Sequence, residues 1–234
     1  MTTMLNRFLF LLCLAAIAAP GFCAELPTQI HAVYRVYRSG LLIGHDEENF
    51  ERQGDKYRIV SHVEAEGIAS LFVRGRFSMT SEGRIVGDEF LPQVFTSARG
   101  NPPKTLTAKF DWERKQIESS REDVKEYFDL PTGTQDRLTA MYQYMLRAPT
   151  TDIVVAWMTQ GKRVEPYRYL KQGETVIRTT AGDFNTVYFA RDTKDTKTKV
   201  QLWLAKDRLY LPVRIIFEDK NGKFEQQLVD LTIR

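Results

Sequence analysis

Hydrophobic and polar residues alternate along most of this chain of 234 residues. Tyr57, Ile59 and Val63, for example, alternate with Arg58 and Glu64. Breaks that contain glycine recur about every dozen residues. Successive side chains of a strand point to opposite faces of a sheet. The pattern therefore predicts antiparallel strands that have one buried face and one solvated face.

The last part of the chain carries the clearest strand pattern. Residues 200–205 read V-Q-L-W-L-A, residues 209–217 read L-Y-L-P-V-R-I-I-F, and residues 224–233 read F-E-Q-Q-L-V-D-L-T-I. All three segments are rich in β-branched and aromatic residues, and turn-forming residues separate them. The dipeptide Asn221-Gly222 suits a type I′ turn, which needs a positive φ at both central positions. These segments predict a three-stranded antiparallel meander.

One stretch, residues 134–147, has a helical period instead. Apolar side chains follow each other at i, i+3, i+4 and i+7, the spacing of one helix face: Leu138, Met141, Tyr142 and Met145. Thr134 is the predicted N-cap, Asp136 in the first turn suits the helix dipole, and Pro149 ends the helix.

Together these elements predict an all-β fold, mainly antiparallel, in a single domain over residues 25–234. About ten strands and one helix favour a strongly curved sheet or a half-open barrel, with the amphipathic helix covering an open face. Pro92 lies within a predicted strand and indicates an edge position or a bend.

The N-terminus is typical of a secretory signal peptide. Arg7 precedes an uninterrupted apolar run over residues 8–19, which is shorter than the roughly 20 residues that span a bilayer. We assign the signal to residues 1–24, with cleavage between residues 21 and 24, and expect a periplasmic protein that is not integral to the membrane. Lipidation of Cys23 is disfavoured, because Phe22 stands where a lipoprotein signal has a small residue.

Composition narrows the choice of partners. Removing the signal takes away Arg7, so the formal net charge falls from +3 to +2, which does not indicate nucleic acid as a partner. Both cysteines, Cys13 and Cys23, lie in the predicted signal, so the mature domain would have no disulfide.

Two longer motifs resemble a known family. Residues 129–145 read D-L-P-T-G-T-Q-D-R-L-T-A-M-Y-Q-Y-M, and residues 200–215 read V-Q-L-W-L-A-K-D-R-L-Y-L-P-V-R-I. Both resemble the domain of unknown function family 3108, a family of exported proteins of Gram-negative bacteria. The resemblance implies export and a β fold but supplies no catalytic residue. A weaker similarity, at Trp203 and Leu211-Pro212, is to the periplasmic lipoprotein carriers, which are half-open barrels with helices over an apolar cavity.

Motifs for catalysis are missing from the sequence. It contains no G-x-S-x-G elbow, no H-E-x-x-H motif, no glycine-rich phosphate loop after a strand, and no cysteine nucleophile in the mature chain. We therefore expect a protein that is not an enzyme and that needs no cofactor.

Histidines and carboxylates in two neighbouring strands allow one alternative. His45 begins the run H-D-E-E, and His62 shares a face of the next strand with Glu64. If the two strands pair, His45, His62 and Glu64 would supply ligands for a divalent metal, as in a metal-assisted hydrolase. The other interpretation is the solvated face of an antiparallel hairpin, which carries charges of this kind.

Aromatic and methionine side chains indicate a possible apolar ligand. Tryptophans in three predicted strands and the apolar face of the helix form the candidate lining: Trp112, Leu138, Met141, Tyr142, Met145, Trp157 and Trp203. They would enclose a pocket for an acyl chain or, alternatively, fill an ordinary packed core. Arg74 and Arg76, which follow the apolar residues 71–73, would face a lipid headgroup or a solvated rim.

The sequence thus predicts a non-enzymatic periplasmic protein that binds an apolar, lipid-like ligand or an envelope partner. The first alternative is a structural or interaction module that recruits a protein through an exposed strand edge. The second alternative is the metal-assisted hydrolase.

Overall fold

One large sheet contains nearly all of the regular structure. The computed structural model describes residues 26–67, 70, 76–192, 198–220 and 222–234. Within these residues the chain forms fifteen strands and one α-helix. The strands are β1 (Gln29–Arg38), β2 (Leu41–Gln53), β3 (Lys56–Ala65), β4 (Phe77–Val86), β5 (Glu89–Arg99), β6 (Lys104–Asp111), β7 (Gln116–Arg121), β8 (Val124–Asp129), β9 (Gln135–Asp136), β10 (Ile153–Thr159), β11 (Val164–Thr179), β12 (Gly182–Arg191), β13 (Lys199–Ala205), β14 (Leu211–Asp219) and β15 (Gly222–Ile233). The helix, α1, is Thr139–Leu146.

The sheet consists of two meanders, β1–β8 and β9–β15, which are joined by the pairing of the first strand, β1, with the last strand, β15. The order across the sheet is β8-β7-β6-β5-β4-β3-β2-β1-β15-β14-β13-β12-β11-β10-β9. Every neighbouring pair is antiparallel except β9 and β10, which pair in parallel at only two positions. The sheet does not close, so β8 is one edge and β10, with the short β9, is the other.

This architecture confirms the all-β fold, the curved and unclosed sheet and the three-stranded C-terminal meander. Fifteen strands replace the ten or so that the sequence predicts. Pro92 lies opposite Gly83 at a register shift inside the sheet, which matches a bend and not an edge. The turn at Asn221 and the segment of residues 71–75, with Arg74, lie outside the described residues.

The helix starts later than its sequence pattern predicts. Thr134 is not the N-cap, since α1 begins at Thr139 and the two residues of β9 precede it. Tertiary contacts explain the difference, because Gln135 Nε2 donates a hydrogen bond to the Phe90 carbonyl at 2.9 Å. Asp136 is likewise not in the first turn, since it lies in β9 before the N-cap Leu138. Its Oδ1 nevertheless accepts the backbone N–H groups of Leu138 and Thr139 at the start of the helix.

The helix packs against both halves of the curved sheet. Tyr142 packs into a core cluster built mainly from β1–β8, where its ring stacks on Phe50 at 5.6 Å. Tyr144, on another side of the helix, packs into a cluster with Phe189 and Leu202 of the C-terminal half. Both tyrosines are buried. The helix therefore packs against both halves of the unclosed sheet, in agreement with a helix that covers its open face.

A hairpin tip also reaches across the interior. Gly161, in the turn between β10 and β11, is buried, and its carbonyl accepts a hydrogen bond from the Ser119 hydroxyl of β7. This contact draws the C-terminal edge of the sheet against the inner side of β7. Among the described residues, no helix is both long and apolar enough to cross a membrane.

Gly83 marks a tight approach of two strands. A Cβ atom at this position would lie 2.2 Å from the Leu91 carbonyl oxygen and 2.9 Å from the Tyr57 hydroxyl. Atoms in van der Waals contact are farther apart, and a backbone carbonyl in a paired strand has little freedom to move.

We expect Gly83→Ala to lower the free energy of unfolding by about 3 kcal/mol or more, because the methyl group displaces paired backbone. The control is Gly87→Ala in the following turn, where no atom lies within 4 Å and only the positive φ of +61° opposes a side chain. That control should lose about 1 kcal/mol. Urea unfolding measures both values, and equal losses would contradict the close approach of Gly83 to the Leu91 carbonyl.

Candidate functional site

Two carboxyl groups of β2 point into the protein. Asp46 and Glu48 are 2% and 9% exposed, and they share the inner face of the strand with Phe50. His45 and Glu47 lie on the opposite face. The interpretation of the whole H-D-E-E run as a solvated face is therefore wrong for Asp46 and Glu48. Phe50 could have predicted this from the sequence. Alternate residues of a strand face the same side of the sheet, so Asp46 and Glu48 must face the interior together with the buried Phe50.

Asp46 is held by polar groups of two other strands. The Ser61 hydroxyl of β3 donates to its Oδ1 at 2.7 Å, and Gln226 Nε2 of β15 donates to its Oδ2 at 2.8 Å. Burial raises the pKa of Asp46, although these hydrogen bonds and the Arg137 charge lower it. Asp46 thus links the two halves of the sheet where β1 lies between them.

Glu48 connects the sheet to the helix. The Tyr142 hydroxyl donates to Glu48 Oε2 at 3.2 Å. Burial, and secondly the charge of Asp46, raise the pKa of Glu48 to about 8, against the smaller lowering effects of Tyr142 and Arg137. Glu48 is therefore mostly protonated at neutral pH, as expected for one of two carboxyl groups that share a buried site.

Asp136 anchors the beginning of the helix. The Ser81 hydroxyl of β4 donates a short hydrogen bond to Asp136 Oδ2, while its Oδ1 accepts the two backbone N–H groups at the start of α1. Burial raises the pKa of Asp136 to about 6, although these hydrogen bonds lower it. We call Asp46 and Glu48, whose charges affect each other, the acid cluster. Glu48, through Tyr142, and Asp136, through Ser81, each attach α1 to the inner face of the sheet.

The histidines occupy the outer face of the same strands. The register places His45 opposite Glu64, and His62 opposite Glu47. His45 Nδ1 lies 2.6 Å from Glu66 Oε1, and Glu64 pairs with Arg76 at 2.8 Å. The described residues contain no group of three or more His, Cys, Asp or Glu side chains arranged to hold a metal ion.

The predicted apolar lining divides among several places. Trp112, Leu138, Tyr142 and Met145 pack in the cluster of the N-terminal half, and Met141 packs against this cluster and that of Tyr144. Trp203 is buried in a further cluster, stacked on Tyr188 at 4.5 Å. Trp157 is 37% exposed on β10. Of the seven side chains, Met145 and Trp157 each line a groove, and the two grooves are different.

The larger groove lies at the C-terminal end of α1 and has a volume of about 570 Å³. We call it the C-terminal groove. It is lined by Pro27, Met145, Leu146, Ala148, Lys206, Asp207, Arg208, Leu209, Tyr210, Ile233 and Arg234. This size is within the range of about 300–1,000 Å³ that is common for small-molecule sites.

The charges of the C-terminal groove are mostly basic. Three basic side chains, Lys206, Arg208 and Arg234, line it together with a single acidic side chain, Asp207. Lys206 forms an ion pair with Glu174. In the part of the chain that the structure describes, neither Arg208 nor Arg234 forms an ion pair with an acidic side chain. The groove thus combines apolar walls with two guanidinium groups that have no acidic partner among the described residues, although Arg208 Nη1 donates one hydrogen bond to the Asp207 carbonyl at 2.8 Å.

A strained turn forms one wall of this groove. Leu209 and Tyr210 have φ values of +55° and +54°, in the left-handed region that non-glycine residues rarely adopt. Their side chains pack in different directions, Leu209 against the cluster of Tyr142 and Tyr210 against the cluster of Tyr144. This packing offsets the backbone strain and fixes the wall.

The second groove, of about 440 Å³, lies between α1 and β10, and we call it the helix–β10 groove. On one side it is bounded by Ala140, Gln143 and Tyr144 of the helix. On the other side it is bounded by residues 153–157 of β10.

The acid cluster should make the stability of the protein fall as pH rises. The pKa of Glu48 is higher in the folded state than its ordinary 4.5, so its contribution is complete below about pH 4.5 and is lost as pH rises through about 8. We expect Glu48→Gln, which keeps an acceptor for Tyr142, to melt roughly 10 °C above the wild type at pH 8.5 and level with it at pH 4.5. Thermal melts over this range test the expectation, with the exposed Glu126→Gln as control. Parallel curves for wild type and Glu48→Gln would show that Glu48 does not ionise within this window.

Comparison with solved structures identifies the fold. A beta-barrel-like protein of the domain of unknown function DUF1849 from Brucella abortus is similar with a TM-score of 0.54 and 14% identity, over 90% of this chain and 100% of that chain. At this identity the likeness establishes a shared fold and nothing further.

Two other solved structures are more distant. One, provisionally described as an exported protein with a YmcC-like fold, is from Bacteroides fragilis, with a TM-score of 0.34 and 8% identity over 89% of this chain and 97% of that chain. The other, provisionally described as an outer membrane lipoprotein-sorting protein domain, is from Vibrio parahaemolyticus, with a TM-score of 0.22 and 10% identity over 88% and 85%. At these TM-scores we draw no conclusion from either.

Sequence comparison places the chain in a family. No protein of curated function matches it. A family model described as a protein of unknown function, DUF3108, matches residues 33–229, which include both motifs singled out in the sequence. The chain therefore belongs to the DUF3108 family.

Proposed function

We propose that this protein is an exported, non-enzymatic binding protein that holds an amphiphile with one acyl chain and an anionic head in its C-terminal groove. The observation that carries the proposal is the pairing of apolar walls with a basic rim in one groove. An acyl chain would lie along Met145, Leu146 and Leu209, and the head would meet Arg208 and Arg234.

The chemistry of the rim favours an anion. A guanidinium group offers several N–H donors in a planar fork that matches a carboxylate or a phosphate. Hydrogen bonds between charged partners are shorter and stronger than neutral ones. Lys206, already paired with Glu174, would add positive charge nearby.

The fixed shape of the groove supports binding without large rearrangement. The turn at Leu209 and Tyr210 is held by side-chain packing on two sides, and Met145 is buried in α1. Strained backbone maintained by the surrounding structure is common at ligand sites. Preorganised walls reduce the entropy that binding must lose.

Export is supported by the N-terminal sequence pattern, in which Arg7 and the apolar residues 8–19 are typical of a secretory signal. A periplasmic location would give the groove access to lipids and lipid fragments of the envelope. The lack of catalytic motifs in the sequence favours binding over turnover.

The first test compares two probes that share an alkyl chain and differ in the sign of the head. We expect palmitate to bind purified protein and to protect Leu209 and Tyr210 from hydrogen exchange, whereas cetyltrimethylammonium should bind much more weakly. Equal binding of both probes, or protection elsewhere only, would contradict the assignment of the groove.

The same assay tests the rim by mutation. The double variant Arg208→Glu with Arg234→Glu should weaken palmitate binding about tenfold or more, since hydrogen bonds to a charged group contribute about 1.5 kcal/mol or more. Arg178→Glu, whose side chain is 82% exposed and distant in sequence from the groove, is the matched control and should bind as the wild type does. Native mass spectrometry of protein purified from the periplasm, followed by lipid extraction, would then show which amphiphile is carried.

A further inference from the structure

The two edges of the sheet differ in chemistry. β8 carries Lys125, Glu126 and Asp129, and charges of this kind prevent an edge strand from pairing with other chains. Residues 153–157 of β10 read I-V-V-A-W and carry no charge. Ile153, Val155 and Trp157 are 44%, 59% and 37% exposed. An apolar, uncharged edge is the kind that a partner strand covers.

In the described structure, the outer side of β10, away from β11, has no partner strand over residues 153–156. β9 pairs with β10 only at Met158 and Thr159. The Asp152 carbonyl accepts from the Lys171 N–H of β11, and antiparallel pairs alternate between bonded and non-bonded positions. Hence the N–H and C=O groups of Ile153, Val155 and Trp157 point to the free edge. In the described structure, the Thr151 hydroxyl donates to the Ile153 carbonyl. The parallel bridge between Met158 and Gln135 engages the Trp157 carbonyl, so the groups without a strand partner on this side, among the described residues, are those of Val155 and the N–H groups of Ile153 and Trp157.

The helix–β10 groove lies along this edge. Its far wall is α1, with Ala140, Gln143 and Tyr144, so a strand added to β10 would place alternate side chains against the helix. Its volume of about 440 Å³ admits side chains of moderate size.

We propose that the free edge of β10 binds an extended, uncharged peptide segment of another protein as an added strand, with its main chain paired to Val155 and to the N–H of Trp157. The added strand would lie in the helix–β10 groove. Main-chain hydrogen bonds would supply affinity, and the groove would select apolar side chains at alternate positions.

Charge complementarity supports an uncharged segment. The charged side chains that line the helix–β10 groove are Glu89 and Arg147. They pair with each other at 3.1 Å, and Arg147 also bonds Asp88 at 2.7 Å. The groove therefore presents neutralised charge, and a charged peptide would lose hydration without gaining a partner.

The size of the edge argues against a second copy of this chain as the occupant. Residues 153–157 extend for about 17 Å, since a strand rises about 3.4 Å per residue. Pairing of two such edges would bury much less than the roughly 800 Å² per partner that a stable dimer needs. A single peptide strand does not need an interface of this area, because its side chains also contact the helix–β10 groove beside the strand.

The test uses a capped peptide that alternates valine and threonine, together with hydrogen exchange of the full protein. We expect the peptide to protect the amides of Val155 and Trp157 and to leave those of β8 unchanged. Val155→Pro removes a donor at the free edge without breaking a bond to β11, so the variant should fold and lose binding at least tenfold. Tyr127→Pro, the same change at the outward edge of β8, is the matched control and should bind normally.

A second pair of probes keeps the test independent of any variant. N-methylation of the peptide on the edge that faces β10 should abolish protection, whereas N-methylation on its opposite edge should not. Equal effects of the two methylated peptides, or no protection of Val155 by the unmodified peptide, would overturn the proposal. If the wild type self-associates in analytical ultracentrifugation and Val155→Pro does not, then the edge binds a second copy of this chain instead of a peptide of another protein. Palmitate binding at the C-terminal groove should be unchanged in Val155→Pro, so failure here is separable from failure of the proposed function.

Discussion

The burial of one short helix is the constraint on which the rest of this structure depends. A helix as short as α1 is not stable in isolation, because nucleation costs more than so few turns return. It forms here since Tyr142 packs on one half of the sheet, Tyr144 packs on the other, and Asp136 accepts its first free N–H groups. The helix in turn supplies a wall to both grooves. The binding surfaces therefore depend on the same contacts that hold the two halves of the open sheet together.

The fold could be predicted from the sequence to a considerable extent, because strand periodicity is a local property. The alternation at Tyr57, Ile59 and Val63 is sufficient to predict a strand with one buried face. The first residue of the helix was harder to predict, since Gln135 lies in a strand and bonds the carbonyl of Phe90, which is far away in sequence. The burial of Asp46 and Glu48 was hard to predict for a different reason. Acidic residues are usually assigned to the solvated face of a strand, and only their alternation with the apolar Phe50 places them on the buried face.

The candidate sites were harder to predict than the fold. Apolar side chains such as Tyr142 and Trp203 satisfy the sequence pattern of a lined pocket equally well when they fill a core. The packing of the folded sheet and helix decides between the two. The wall at Leu209 and Tyr210 rests on positive φ values at two large residues, which no propensity favours. The sequence singled out Trp157 as a candidate site residue, but only the complete strand order shows that it lies on a free edge of the sheet.

The pairing of β1 with β15 has a consequence for the order in which the protein can mature. β1 is the first strand of the domain to leave the ribosome and β15 is the last, yet nine residue pairs join them. The first meander can assemble hairpin by hairpin as it emerges, but one side of β1 must stay without its partner until the whole chain has been made. The domain therefore cannot complete its sheet before its C-terminal strand is available.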